Sequence, residues 1–159
     1  MKMKTYSDQS KFVSDNKDIV SWGPKYATGV NIIDKQHKEL VDLTNKLYHA
    51  CLNRNEDMDT TFKEAMHRLV EYVRIHFTDE QALLKDIDFP NYAEHKKEHE
   101  DLIKDILEAS KNYGAGIKLV PNHCVRTLKD WIFSHIAIAD KLITRYVKDQ
   151  KNKGLLTHL

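Results

Sequence analysis

Seven side chains in this sequence carry metal-ligand chemistry at spacings that a helix converts into a single surface. His37 stands alone, His76 and Glu80 are four apart in HFTDE, His95 and His99 four apart in HKKEH, and His135 and Asp140 five apart in HIAIAD. A four-residue step advances a helix by roughly 40° beyond one full turn, so the two members of such a pair project side by side. Neutral imidazole nitrogens and ionised carboxylates are the donors that divalent first-row metals take. Left unpaired in a core, each of these groups would cost on the order of several kcal/mol in desolvation, a cost that a bound metal removes. The set is too large for one tetrahedral zinc and too rich in nitrogen for calcium or magnesium. Two six-coordinate irons fit it, with the carboxylates and one further oxygen as bridges and a single position left open for a small molecule. Manganese accepts the same donors.

Such a site needs elements that aim all seven groups at one place, and the apolar pattern predicts four helices. The first runs from Asn31 to about Asn53, with Asn31 as its N-cap and Ile33, His37, Leu40, Val41, Leu47, Tyr48 and Cys51 inward. The second spans about Thr60 to Asp86 and turns Phe62, Leu69, Val73, His76, Phe77, Glu80 and Leu84 to the core. Pro90 breaks the chain, and a third helix from about Asn91 to Asn112 places Tyr92, Leu102, Ile103, Ile106 and Leu107 on its apolar side with His95 and His99. Gly114 and Gly116 end it. Pro121 opens the fourth helix, which carries Val125, Leu128, Ile132, His135, Ile136, Leu142 and Ile143 and continues to about Gln150. Short connections between amphipathic helices predict an all-α, antiparallel up-down-up-down four-helix bundle.

Asp140 is the exception to regular geometry. Five residues place it about 140° from His135 on an ideal α-helix. If both face one site, the helix must widen locally, so a π-bulge is predicted between them. The remaining histidines act as an internal control. His67 lies about 180° from His76, His49 and His123 fall about 120° from the ligand histidine of their helix, and His158 is in the tail, so surface or flank positions are expected for these four.

The 159 residues, 41% of them hydrophobic, suffice for one domain with a core that needs no disulfides. Residues 1–21 read as a polar arm, 22–151 as the bundle with its leading loop, and 152–159 as a tail. Lys and Arg number 25 against 24 Asp and Glu, a balance that argues against nucleic-acid binding. No apolar run approaches the ~20 residues of a membrane span, and Met1 to Ser10 has no secretory apolar stretch. A cytoplasmic location is therefore expected, with Cys51 and Cys124 as reduced, buried residues.

The ordered motifs HFTDE, HKKEH and HIAIAD, preceded by His37 in TGVNIIDKQH, resemble those of hemerythrin, in particular the single-domain bacterial hemerythrins. The resemblance covers about Trp22 to Val147 and fills all seven of that family's ligand positions. It implies that His95, His99 and His135 bind one iron, that His37 and His76 bind the other, and that Glu80 and Asp140 bridge them with an oxo or hydroxo group. Molecular oxygen would then bind reversibly at the open position of the two-histidine iron. Leu40, Phe77, Trp131, Ile132 and Ile136 lie within one turn of the ligands and are the expected walls of the oxygen pocket, a role compatible with plain core packing.

The leading expectation is thus a non-enzymatic protein for oxygen storage, delivery or buffering. The family also contains sensors. With no attached output domain here, sensing would act through a separate partner, with Met1 to Ser21 as the segment to reach it. A diiron enzyme reducing peroxide or nitric oxide is the alternative from another class. It would need a proton donor near the pocket, and the pattern shows no inward acid or tyrosine beyond the ligands.

Overall fold

A computed structural model of the chain describes residues 17–53, 58–118 and 120–156. Its helices are α1 (Asn31–Asn53), α2 (Met58–Asp86), α3 (Tyr92–Gly114), α4 (Val120–Trp131) and α5 (Asp140–Asn152), with a π-helical segment, Ile132–Ala139, joining α4 to α5. The last three form one continuous rod, so the architecture is a four-helix bundle in which α1 packs on α2 and α4, and α3 on α2 and α4. Among the described residues there is no strand, and no helix is long and apolar enough to cross a membrane.

The predicted boundaries hold to within a few residues, and the core falls where the stripes point. Leu40, Leu47, Leu69, Leu102, Leu128, Ile132 and Ile136 are fully buried. Ile103, Leu107 and Leu142 were expected inward and instead face solvent, Leu107 at 60% exposure. On α3 the inward line is held by His95, His99, Leu102, Ile106 and Ala109, and Ile103 and Leu107 each sit one residue, about 100°, beyond it. On α5 the widened segment resets the helical phase so that Asp140 and Ile143 are buried, which turns Leu142 outward.

Asn31 is not the cap of α1 but its first helical residue. Asp34 ties the helix start instead, accepting from Thr28 N–H (2.6 Å), Thr28 Oγ1 (2.8 Å) and Gly29 N–H (3.1 Å). The tight approach of the loop to that carboxylate needs the left-handed backbone of Gly29, whose φ is 85°. The end of the segment read as a loose arm is attached as well. Val20 is buried, its N–H donates to Asn45 Oδ1 at 3.0 Å, and its carbonyl accepts from Asn45 Nδ2 at 2.8 Å. Residues 1–16 of that arm, and His158 with the end of the tail, lie outside the described residues.

Candidate metal centre

Each of the four rods carries ligand-type residues to the same depth of the bundle. His37, His76, Glu80, His99, His135 and Asp140 are at most 1% exposed and His95 is 4% exposed, an extreme burial for polar groups. The π segment delivers the last pair. Its wider turn makes a five-residue step close to one revolution, and the Asp140 N–H donates to the His135 carbonyl. His135 Nε2 and Asp140 Oδ1 end 3.2 Å apart, as the predicted bulge requires.

Two groups of ligand atoms result. Glu80, His95, His99 and His135 offer four atoms all within 4.8 Å of one another, and His37, His76 and Glu80 offer three. Glu80 belongs to both. Asp140 bridges the same two groups from the opposite rod, with Oδ2 3.2 Å from His37 Nε2 and Oδ1 3.6 Å from His95 Nε2.

Whether a metal fits this arrangement is tested by the hydrogen bonds it lacks. His37 Nε2, His76 Nε2 and both Asp140 oxygens are buried without a hydrogen-bond partner although they stand close to one another. Groups that satisfied each other would align donor to acceptor; these converge on common points between them. Buried polar atoms of that kind need a compensating interaction to persist, and a cation at each point would supply it.

Three of the outer ring nitrogens are held in the matching way. His76 Nδ1 lies 2.9 Å from Gln36 Oε1, while Gln36 Nε2 donates to Asp79 at 2.7 Å. His135 Nδ1 lies 2.5 Å from Glu98 Oε2. Gln81 reaches His99 Nδ1 at 3.3 Å, and turning its amide by 180° makes its oxygen the acceptor there. With Nδ1–H donated outward, Nε2 keeps its lone pair pointing into the bundle, the tautomer that metal ligation needs.

Electrostatics agree with a site built for cations. Burial lowers the pKa values of His37, His76 and His99, and it brings His135 down to about 4 despite its bond to Glu98. These rings are therefore neutral at pH 7 and free to ligate. Burial alone would raise Glu80, but its close contacts with the His95 and His99 rings outweigh it and hold the carboxyl well below its usual range. Asp140 is driven the other way, first by burial and then by the charge of Glu80. Two carboxylates side by side in a dry core cannot both ionise without cations between them.

The apolar residues expected as pocket walls divide into two sets. Phe77 stacks on His99 at 3.7 Å between centroids and reaches His76 at 5.5 Å, and Trp131 stacks on His135 at 4.2 Å. Leu40, Ile132 and Ile136 are fully buried in the same core cluster.

Comparison with known proteins then places the chain. Residues 28–147 match the family described as Hemerythrin HHE cation binding domain. This chain belongs to the hemerythrin family. It is similar to the bacteriohemerythrin of Methylococcus capsulatus, with 29% identity over 125 residues that cover 78% of this chain and 93% of the relative. The bacteriohemerythrin of Pseudomonas aeruginosa is 29% identical over 144 residues, 86% of this chain and 92% of its own. A solved crystal structure of a hemerythrin point mutant superposes with a TM-score of 0.73 at 26% identity, covering 82% of this chain and 98% of that one.

The hemerythrin motifs led to the inward residues but not to those behind them. Gln36, Gln81 and Glu98 were missed because each stands one residue from a ligand histidine or carboxylate, on flanks where polar residues are ordinary surface. Tyr72 overturns the expectation that no inward tyrosine lies beyond the ligands. It is four residues before His76, hence on the same face, and its ring stacks on that imidazole at 5.0 Å. Burial, and then the charges of Glu80 and Asp140, raise its pKa well above the ordinary tyrosine value. The i, i+4 spacing from His76 was the available signal. Of the other histidines, His67 and His123 are exposed, and His49 lies 2.8 Å from Asp18 on the bundle flank.

Proposed function

We propose that this protein binds molecular oxygen reversibly at a pair of non-heme iron ions, in oxygen storage, delivery or buffering. The observation that carries the reading is the sharing of Glu80 by two groups of convergent ligand atoms. His95, His99 and His135 would hold one iron, His37 and His76 the other, and Glu80 and Asp140 would bridge them. When bound, the iron pair supplies two one-electron reductants to a single oxygen molecule.

The chain's own part is to orient and to exclude. Gln36, Glu98 and Gln81 fix the ring orientation of three ligand histidines. The fully buried Leu40, Ile132 and Ile136, with Phe77 and Trp131 against the ligand rings, form an apolar wall that keeps water and anions from entering on that side of a low-dielectric site. That exclusion favours release of oxygen over irreversible oxidation. Ile132→Ala should accordingly shorten the lifetime of the oxygenated protein several-fold, measured as the decay of its visible spectrum. It also opens a cavity that destabilises the fold by about 2–5 kcal/mol. An unchanged lifetime would remove Ile132 from the pocket.

The function itself is tested by recording the visible spectrum of anaerobically reduced, iron-loaded protein as oxygen is admitted and withdrawn. A charge-transfer band that appears and then vanishes is the expected result. Decay to a fixed oxidised spectrum would favour the reading as a redox sensor or a peroxide- or nitric oxide-reducing enzyme. Tyr72, a buried hydroxyl beside His76, is the specific observation on the side of the enzyme.

A further inference from the structure

Behind His76, between α1 and α2, lies a cavity of about 100 Å³. Buried Tyr72 and His76 form its inner wall, together with Gln36, and the exposed residues Glu39, Arg68 and Glu71 form its rim. Ile75, 46% exposed, lies at the mouth. Glu39 and Arg68 approach to 3.4 Å across it from the two helices. The Tyr72 hydroxyl is buried and has no partner in the protein.

A buried hydroxyl persists when something satisfies it, and here the neighbouring space can hold that partner. The volume exceeds what one water requires, and Tyr72, Gln36, Glu39 and Arg68 supply the several polar contacts that an ordered water needs. Charge narrows the guest further. Two carboxylates against one guanidinium disfavour anions at the rim, and an apolar gas gains nothing from hydrogen-bonding walls. Neutral molecules that both donate and accept remain.

We propose that this cavity is a polar access site for small neutral hydrogen-bonding molecules, water and hydrogen peroxide, on the His76 side of the metal centre, with the Tyr72 hydroxyl as their inner contact. The inference rests on the metal-centre reading above. It makes the site reachable by two chemistries, with peroxide and water arriving along the α1–α2 seam and oxygen through the apolar face.

Two variants test it. Ile75→Trp plugs the mouth from the surface and leaves every candidate ligand residue unchanged. In iron(II)-loaded protein, each hydrogen peroxide takes one electron from each of two irons and two protons, leaving as two waters. That oxidation should slow five- to tenfold in Ile75→Trp while the rate of oxygen binding and the iron content stay at the wild-type level. An unchanged peroxide rate, or equal slowing with oxygen, overturns the access site. Tyr72→Phe is read in metal-free protein. If the hydroxyl holds a guest water, its removal lowers Tm by about 2–4 °C; an unchanged or raised Tm means the hydroxyl has no guest and overturns the proposal. Failure of the wild type to bind iron would instead sink the metal-centre reading and the access role with it, and the Tm comparison would still decide whether the cavity is occupied.

Discussion

Glu80→Gln is expected to reduce bound iron from two ions per chain to at most one. Glu80 contributes an atom to both ligand groups, so its loss cannot be confined to one metal. The amide is close to isosteric, but it removes a negative charge from a dry core where that charge stands 2.9 Å from His95 Nε2 and 3.2 Å from His99 Nε2. An amide oxygen is a poor bridge between two cations, and its NH₂ group would face one of them. Metal analysis of purified protein, read beside helix content by circular dichroism, checks this. Two irons retained in a folded Glu80→Gln protein would rule out Glu80 as the shared ligand. Glu98→Gln is the natural comparison. It weakens only the 2.5 Å contact to His135 Nδ1 from a half-exposed position, so both metals should remain.

Stripping the metal should lower Tm by about 10–15 °C at pH 7. A ligand present at a thousandfold excess over its dissociation constant stabilises the folded state by about 4 kcal/mol, and a domain of this size shifts by roughly 2–4 °C per kcal/mol. The metal-free protein should then weaken further in acid. His37, His76, His99 and His135 all have folded pKa values below the ordinary value of 6.5, that of His135 about 4. Their contribution is complete above pH 6.5 and is lost as pH falls toward 4, because the unfolded chain takes up protons that the folded chain refuses. Asp140 opposes this, since its raised pKa favours the folded state as pH falls toward 4. His95, its pKa raised, opposes the loss as well, whereas Glu80, held low, adds to it; four imidazoles and Glu80 against Asp140 and His95 leave a net loss. Thermal unfolding of metal-free and iron-loaded protein from pH 7.5 to 4.5 measures both effects. A metal-free Tm equal to the loaded one, or one that rises in acid, would contradict the account of a core assembled around cations.

Much of this was written in local spacing. Four-residue steps set His76 beside Glu80 and His95 beside His99, and the inward lines of α1 and α2 followed from apolar periodicity alone. Even the irregular π segment could be anticipated, since a five-residue step between two ligands is incompatible with an α-helix that presents both to one site. The errors have a common cause. Ile103, Leu107 and Leu142 are apolar residues near the edge of a stripe, and periodicity does not say how wide the buried face will be. That width depends on how closely the neighbouring rods approach.

The sequence by itself determined the helices, the seven polar residues on their inner faces and the family to which the chain belongs, because each of these depends on residue type and on spacing within one element. Only the tertiary structure decided that Glu80 serves both ligand groups, that Gln36 and Glu98 stand behind His76 and His135, and that Tyr72 and Ile75 border a cavity at the α1–α2 seam. Those relations join residues that lie between 3 and 55 positions apart across separate helices or across a shared cavity. They are set by how the rods turn about their axes as they pack, which the period of any single helix leaves free.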